Sequence, residues 1–347
     1  MSRQSTNLVY QDRISLEERL LNVLATGWIF LLLLVMVAAF YALRPEQFGS
    51  VYNIQQLAIN SAIFMVLAVG QTYVIITAGI DLSVGSVLVF ASVVSAKVML
   101  LLSGEPGTTF GTTDAGWGIV AIGALTALAS GAAWGALNGV LVAYARIPAL
   151  IVTLGTMGMA LGFAQIITGG VDVRAMPERM VTHIGSGELF GIPALVLIAA
   201  AIVIVAGIVL HLTRFGLHVY AVGSNEEASR RSGIGVHRRL VAVYTVCGMM
   251  AGLAAVMANA RFGTTTINGH VMANLTTISA VVLGGTSLFG GKGSVFGTVV
   301  GVFIPIILLN GFVIMGIPPF WQTVAMGAVL IAAVWIDQLK RQLRNRS

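Results

Sequence analysis

The sequence predicts an all-α fold, a polytopic transmembrane helix bundle of about ten spans with both termini in the cytoplasm. Three observations lead there. Of 347 residues, 57% are hydrophobic and only 9% are Asp, Glu, Lys or Arg, with mean hydropathy +0.93. A soluble domain carries roughly a quarter charged residues, so this chain lacks the polar surface to face water. Second, residues 20–43, 47–80, 82–96, 115–145, 147–171, 189–213, 240–260, 262–291 and 293–336 hold no charged residue. Third, Lys and Arg concentrate at alternating connections. One side would hold Arg3, Arg13, Arg19, Arg146, the 213–239 loop, Lys292 and the C-terminal tail; the other holds only Arg44, Arg174, Arg179 and Arg261. By the positive-inside rule the first side is cytoplasmic.

A span needs about 20 apolar residues, which places helices at 24–43, 57–79, 83–102, 118–144, 149–168, 193–212, 239–258, 274–289, 294–314 and 319–336. The first follows Arg13, Glu17, Glu18 and Arg19 and has no small-residue cleavage site after it, so it reads as a retained anchor rather than a signal. The third and eighth have ends blurred by neighbouring Gly and polar residues. Gly316-Ile317-Pro318-Pro319 supplies the turn between the last two spans. No linker of biased composition interrupts the chain. We therefore expect a cytoplasmic tail over 1–23, one membrane domain over 24–337 with a cytoplasmic loop at 213–239, and a cytoplasmic tail over 338–347.

Several function classes fall away. Cys247 is the single cysteine, which leaves no internal disulfide and no Cys-rich metal site. The pI near 9.8 follows from the positive-inside bias and needs no nucleic-acid partner. The segment Gly285–Ser294 resembles a phosphate-binding loop only superficially. Thr286 stands where the pattern needs Gly, and Gly293 follows Lys292 where it needs Ser or Thr. With scattered His and no nucleophile motif, the chain offers no catalytic, metal or cofactor site of its own.

Glycines recur at four-residue spacing inside spans, at Gly131-Gly135-Gly139, Gly158-Gly162, Gly248-Gly252 and Gly293-Gly297-Gly301. Such spacing brings backbones together in lipid; hinges or dimer contacts are the other use. The ionisable residues of the apolar stretches, Asp81 and Lys97, lie near span ends, and Lys97 can snorkel. The mid-span polar residues are neutral: Asn60, Gln71, Asn138, Gln165, Asn259, Asn274, Thr276 and Asn310. Amides both donate and accept, which suits hydroxyl-rich neutral solutes; interhelical hydrogen bonding is the alternative for each. All of these except Asn259 are candidates for a solute path.

In the 213–239 loop, Ser224 or Asn225 can cap a helix whose first turn carries Glu226 and Glu227 and whose last turn carries Arg230 and Arg231. Gly233 suits its left-handed exit. A capped polar helix reads as a docking element or as a solvated connector.

Three motifs together resemble a known family. Gly79-Ile80-Asp81-Leu82-Ser83-Val84-Gly85-Ser86, the Asn225-Glu226-Glu227-Ala228 helix running to Ser232-Gly233-Ile234, and Val281–Leu288 with Gly290-Gly291-Lys292-Gly293 are similar to sugar permeases of bacterial ABC importers, nearest the ribose/xylose/galactoside group. The resemblance runs from about Phe48 to Asp337. It makes Asp81, Ser83, Gly85, Gly284, Gly285 and Lys292 motif positions. It implies a homodimeric permease in the bacterial inner membrane, a separate cytoplasmic ATPase that binds ATP and Mg, and a periplasmic or surface sugar-binding protein. Asn225, Glu226, Glu227, Ala228, Arg230, Arg231 and Gly233 would couple to that ATPase. Where the family commonly has Glu-Leu-Asp, this chain has Asn274-Leu275-Thr276, two acids replaced by neutral groups, so the particular sugar or polyol stays open. A self-contained secondary transporter or channel, and a membrane scaffold, are the alternatives. The first needs a coupling-ion site in an interior nearly free of acids.

Overall fold

The computed structural model describes residues 16–104, 110–113, 115–270 and 272–344. Most of the expected N-terminal tail, with Arg3 and Arg13, and the last three residues of the C-terminal tail lie outside the described residues. The chain is a helix bundle. Its elements are α1 (Leu16–Leu43), α2 (Pro45–Phe48), α3 (Val51–Ile76), α4 (Val84–Leu102), α5 (Trp117–Ala143) and α6 (Ala149–Thr168). There follow α7 (Glu178–Met180), a π-helical turn at Val181–Gly185, α8 (Ala194–Leu212), α9 (Arg214–Ser224), α10 (Glu226–Arg231), α11 (Val236–Phe262), α12 (Ala273–Leu283), α13 (Val295–Ile314) and α14 (Pro319–Arg344). Four short strands sit in the connections: β1 (Phe110–Thr113) pairs parallel with β2 (Arg174–Pro177), and β3 (Glu188–Leu189) antiparallel with β4 (Ile192–Pro193).

Every expected helix has a counterpart, with instructive differences at the ends. Helix α3 starts early because the Ser50 hydroxyl accepts from the Asn53 amide at 3.2 Å, a local cap. It stops at Ile76 because Ala78 turns into the left-handed region, φ 60°. The eighth expected helix, 274–289, is cut to α12 because Gly285, two residues past its end, takes φ 88°. Among the described residues α3, α4, α5, α6, α8, α11 and α13 are long and apolar enough to cross a membrane, while 29–43, 273–283 and 320–335 are shorter apolar helices. The 213–239 loop contains a second helix that the sequence reading missed: α9 precedes α10 and is capped by Thr213, whose hydroxyl accepts from the Gly216 amide at 3.4 Å.

Helix α3 is the buried axis, with Val66, Leu67, Val69, Gln71, Tyr73 and Val74 all sealed from solvent. Around it pack α8, α11, α12 and α13, with α4 and α5 packed in turn on α11. The closest crossing joins α5 to α11. A Cβ on Gly135 would overlap the Tyr244 carbonyl oxygen, and one on Gly248 would overlap the Gly131 carbonyl oxygen. Lipid tails are as apolar as leucine, so close backbone contact rather than burial from water holds such helices together. Gly297 and Gly301 do the same between α13 and the α12 end. Gly158 and Gly162 depart from that packing role: with Gly155 they face open space on α6, and a Cβ there would meet no atom of the chain.

This packing predicts that Gly135→Val separates α5 from α11. Backbone overlap exceeds the overpacking that costs about 1–3 kcal/mol in a core. The monodisperse yield in mild detergent should collapse for Gly135→Val and stay parental for Gly155→Ala; equal yields would show that the crossing is not held by backbone approach.

Candidate functional site

The α3–α4 connection, residues 77–83, is the most heavily tied segment of the interior. Asp81 is 1% exposed, and its Oδ1 accepts from the Ser83 amide at 2.8 Å and the Ser83 hydroxyl at 2.6 Å. This is an Asx turn, in which a short carboxylate folds back on the chain two residues on. It sets Ser83 at the start of α4. Asn138 of α5 donates to the Ser83 hydroxyl at 2.9 Å, Thr153 of α6 donates to the Ile80 carbonyl at 3.3 Å, and Asn274 of α12 donates to the Leu82 carbonyl at 3.2 Å. Burial pushes the Asp81 carboxyl above the usual range, while the Ser83 donors pull it back toward the ionised form. Gln71 accepts from the Cys247 thiol at 3.7 Å in the same layer. Gly85 faces the carbonyl of His270 so closely that no side chain fits between them.

A second non-helical segment, 263–270, approaches this knot from the α11 side. Asp172 accepts from the Ile267 amide at 2.8 Å and the Thr265 hydroxyl at 3.3 Å, and Thr265 pairs with Val173 through its amide and hydroxyl. Those bonds press Ile267 among Val89, Val93 and Ala164. The segment ends in α12, whose first turn holds Asn274. Thr276 is buried, its hydroxyl donating to the Met272 carbonyl at 3.4 Å.

At the end of the bundle that carries α9 and α10, three loops converge. The Gly291 amide donates to the Ile76 carbonyl at 2.8 Å, and the Tyr220 hydroxyl to the Gly293 carbonyl at 2.8 Å. Gly223 packs on Ile76, and Gly290 on Gly223 and Ala78. Asn225, rather than Ser224, caps α10 by accepting from the Ala228 amide at 2.8 Å. Arg230 pairs with Glu226 at 2.7 Å and Arg231 with Glu227, and Gly233 exits at φ 82°. Between α10, the α5–α6 turn and the α3 end lies a cavity of about 560 Å³, lined by Gly79, Arg146, Asn225, Glu226, His237 and Tyr244 among others. Lys292 is exposed, its carbonyl accepting from Ser287, and Gly284 packs on Gly297.

The structure therefore brings Gln71, Asp81, Ser83, Gly85, Asn138 and Asn274 together and leaves other candidates apart. Asn310 donates to Asn53 at 2.8 Å, an α13–α3 bond well away from this layer in the chain's packing. Asn60 is half-buried on α3, and Gln165 is exposed on α6. The sequence singles out neither Asp172, Tyr244 nor His270, and Ser86 enters only as the last residue of the Gly79–Ser86 motif. Only the position of His270 beside a helix break, between two apolar stretches, could have flagged it.

A family model described as "Branched-chain amino acid transport system / permease component" matches residues 53–334. The ribose import permease protein RbsC of Escherichia coli (strain K12) is 37% identical over 315 residues, 89% of this chain and 92% of that protein. The D-allose transport system permease protein AlsC of the same strain is 32% identical over 89% of this chain and 90% of its own length. The fructose import permease protein FrcC of Rhizobium meliloti is 32% identical over 90% and 85%. No solved structure matches the chain.

Asp81→Ala should leave two Ser83 donors without their acceptor, at about 1–3 kcal/mol for a buried unpaired group. Asp81→Asn keeps an acceptor oxygen. In thermal melts of the purified chain the alanine variant should lose several degrees and the asparagine variant less. Equal losses would mean that the negative charge, not the turn, matters.

Proposed function

Because the chain belongs to the family of branched-chain amino acid transport system permease components, and its relatives are sugar import permeases, we propose that it is the membrane permease subunit of an ATP-driven importer of a monosaccharide or related polyol. It sits in the bacterial inner membrane as a multi-pass protein, a transport subunit rather than an enzyme. ATP and Mg bind the separate ATPase, and a periplasmic or surface binding protein delivers the solute. Both termini and the α9–α10 end face the cytoplasm.

The observation that carries the coupling part is α10. It is a six-residue polar helix with a side-chain cap at its start, two same-helix ion pairs along its length and a left-handed glycine exit. An isolated helix this short is unstable in water, so such complete local definition fits an element held for a partner to grip. Its backbone joins α9, which rests on Ile76 and on the 284–293 loop. A push on α10 therefore reaches the start of the Asp81 turn. Gln71, Asn138, Asn274 and Thr276 lie along the route by which that push would alter a polar path, with Asn60, Gln165 and Asn310 outside the central layer.

Pairing of two copies is supported by α6. Gly155, Gly158, Gly162, Gln165 and Gly169 follow one another at alternating three- and four-residue spacing. That places small residues and one exposed amide on a single stripe, the form of a close helix–helix contact in lipid. An exposed glutamine facing lipid is costly; facing a second copy it finds a partner.

Two tests follow. Gly233→Val puts a β-branched residue where φ is 82° and should tilt α10. Abundance should remain parental, while ATP-dependent uptake falls about tenfold or more and the ATPase co-purifies weakly. Parental uptake with a firmly bound ATPase would make the loop a mere connector. Separately, Gly158→Phe should leave the monomer folded and lower the dimer fraction in native mass spectrometry; an unchanged dimer would place the contact elsewhere.

A further inference from the structure

Some buried polar groups in this bundle have no partner, and His270 stands out among them. It is 7% exposed, and neither ring nitrogen has a hydrogen-bond partner among the described residues. Its ring lies beside Phe262, with centroids 6.1 Å apart, and its carbonyl abuts Gly85 and accepts from the Ala273 amide at 3.0 Å. The residue is thus fixed by its backbone at the point where segment 263–270 meets the first turn of α12, with its polar edge unused. Next to Gly85 on α4, the Ser86 hydroxyl is also buried and without a partner among the described residues, as is the side-chain Oδ1 of Asn259, one turn before Phe262, whose Nδ2 donates to the Ser92 carbonyl.

Inside a membrane protein each such group costs free energy, roughly 1–3 kcal/mol when nothing satisfies it. A chain of neutral polar residues retains that cost where a ligand supplies the missing partners. The ligand's chemistry follows from the groups. Burial pushes the imidazole down to about 4, so the ring is neutral at ordinary pH and presents one donor and one acceptor. A serine hydroxyl both donates and accepts, and an amide carbonyl accepts. A polyhydroxylated neutral molecule, in which each hydroxyl does both, answers all three. An anion or cation would leave half of them unmatched.

We propose that His270, assisted by Ser86, is a specificity-determining contact for hydroxyls of the transported solute. This rests on the reading of the chain as a sugar permease. The same position explains why Asn274, one helical turn further, is committed to the Leu82 carbonyl: it braces the α12 start against the Asp81 turn while His270 stays available. The residues just before His270 are tied to Asp172, which accepts from the Thr265 hydroxyl and the Ile267 amide.

The test uses the assembled importer in vesicles, loaded with ATP, and a panel of labelled ribose, allose, galactose and fructose. His270→Leu should be as abundant as the parent and melt no lower as the isolated permease, since an apolar replacement removes unpaired polar atoms. Its apparent KM for the parent's preferred sugar should rise about three- to tenfold, the range of one neutral hydrogen bond. The ranking of the panel should change, and His270→Gln should recover most of the KM. A parental KM and ranking in His270→Leu overturns the proposal. So does a fall in melting temperature that His270→Gln restores, because that marks a structural histidine. A parental complex that imports none of the four sugars overturns the sugar reading itself, and this inference with it.

Discussion

In a helix bundle that faces lipid, a polar group taken off the regular backbone ladder must find its partner within the chain, because no water is present to supply one. The residues between α3 and α4 meet this constraint most fully. Ala78 and Asp81 break the helix. The carbonyls freed at Ile80 and Leu82 are claimed by Thr153 and Asn274, and the Ser83 donors by Asp81. The turn thereby ties α4 to α5 through Ser83 and to α6 and α12 through its Ile80 and Leu82 carbonyls. The wider architecture depends on that arrangement, since α3 is its axis and the other helices pack around the turn at its end.

The consequence is mechanical. At its outer edge the same α3 end accepts from Gly291 and is packed by Gly223 at the α9–α10 junction. The polar end of the bundle and the interior break share a few residues of backbone, with no flexible linker between them. Glycine at these crossings keeps the backbones in contact. The second break at 263–270 meets the first through Gly85 and Leu82. Two interrupted segments joined in this way satisfy each other's backbone within the bundle, as a lipid-facing fold requires.

Much of this was legible in the sequence, for reasons that differ by feature. Charge-free stretches located the helices because lipid admits little else. The α10 cap, its charge order and the Gly233 exit were readable because local physics sets them within eight residues. The Asp81 motif was visible as a motif, but its bonds to Asn138 and Asn274 join residues 55 and about 190 positions away, and pairings over such distances leave no trace in spacing. Helix α9 was missed because its polar face resembles a connector. Gly158 and Gly162 were read with the packing glycines since spacing alone cannot say whether the partner helix belongs to the same copy. His270 offers only its place beside a helix break; that both its ring nitrogens lack partners among the described residues is visible in three dimensions alone.

If the α10 end is coupled to the two interior breaks as proposed, all three should respond to nucleotide as one unit. Hydrogen–deuterium exchange on the assembled importer, with and without a non-hydrolysable ATP analogue, tests it directly. Protection of residues 77–86 and 263–276 should change together with that of 214–239. A nucleotide response confined to 214–239, with both interior segments unaltered, would contradict the account.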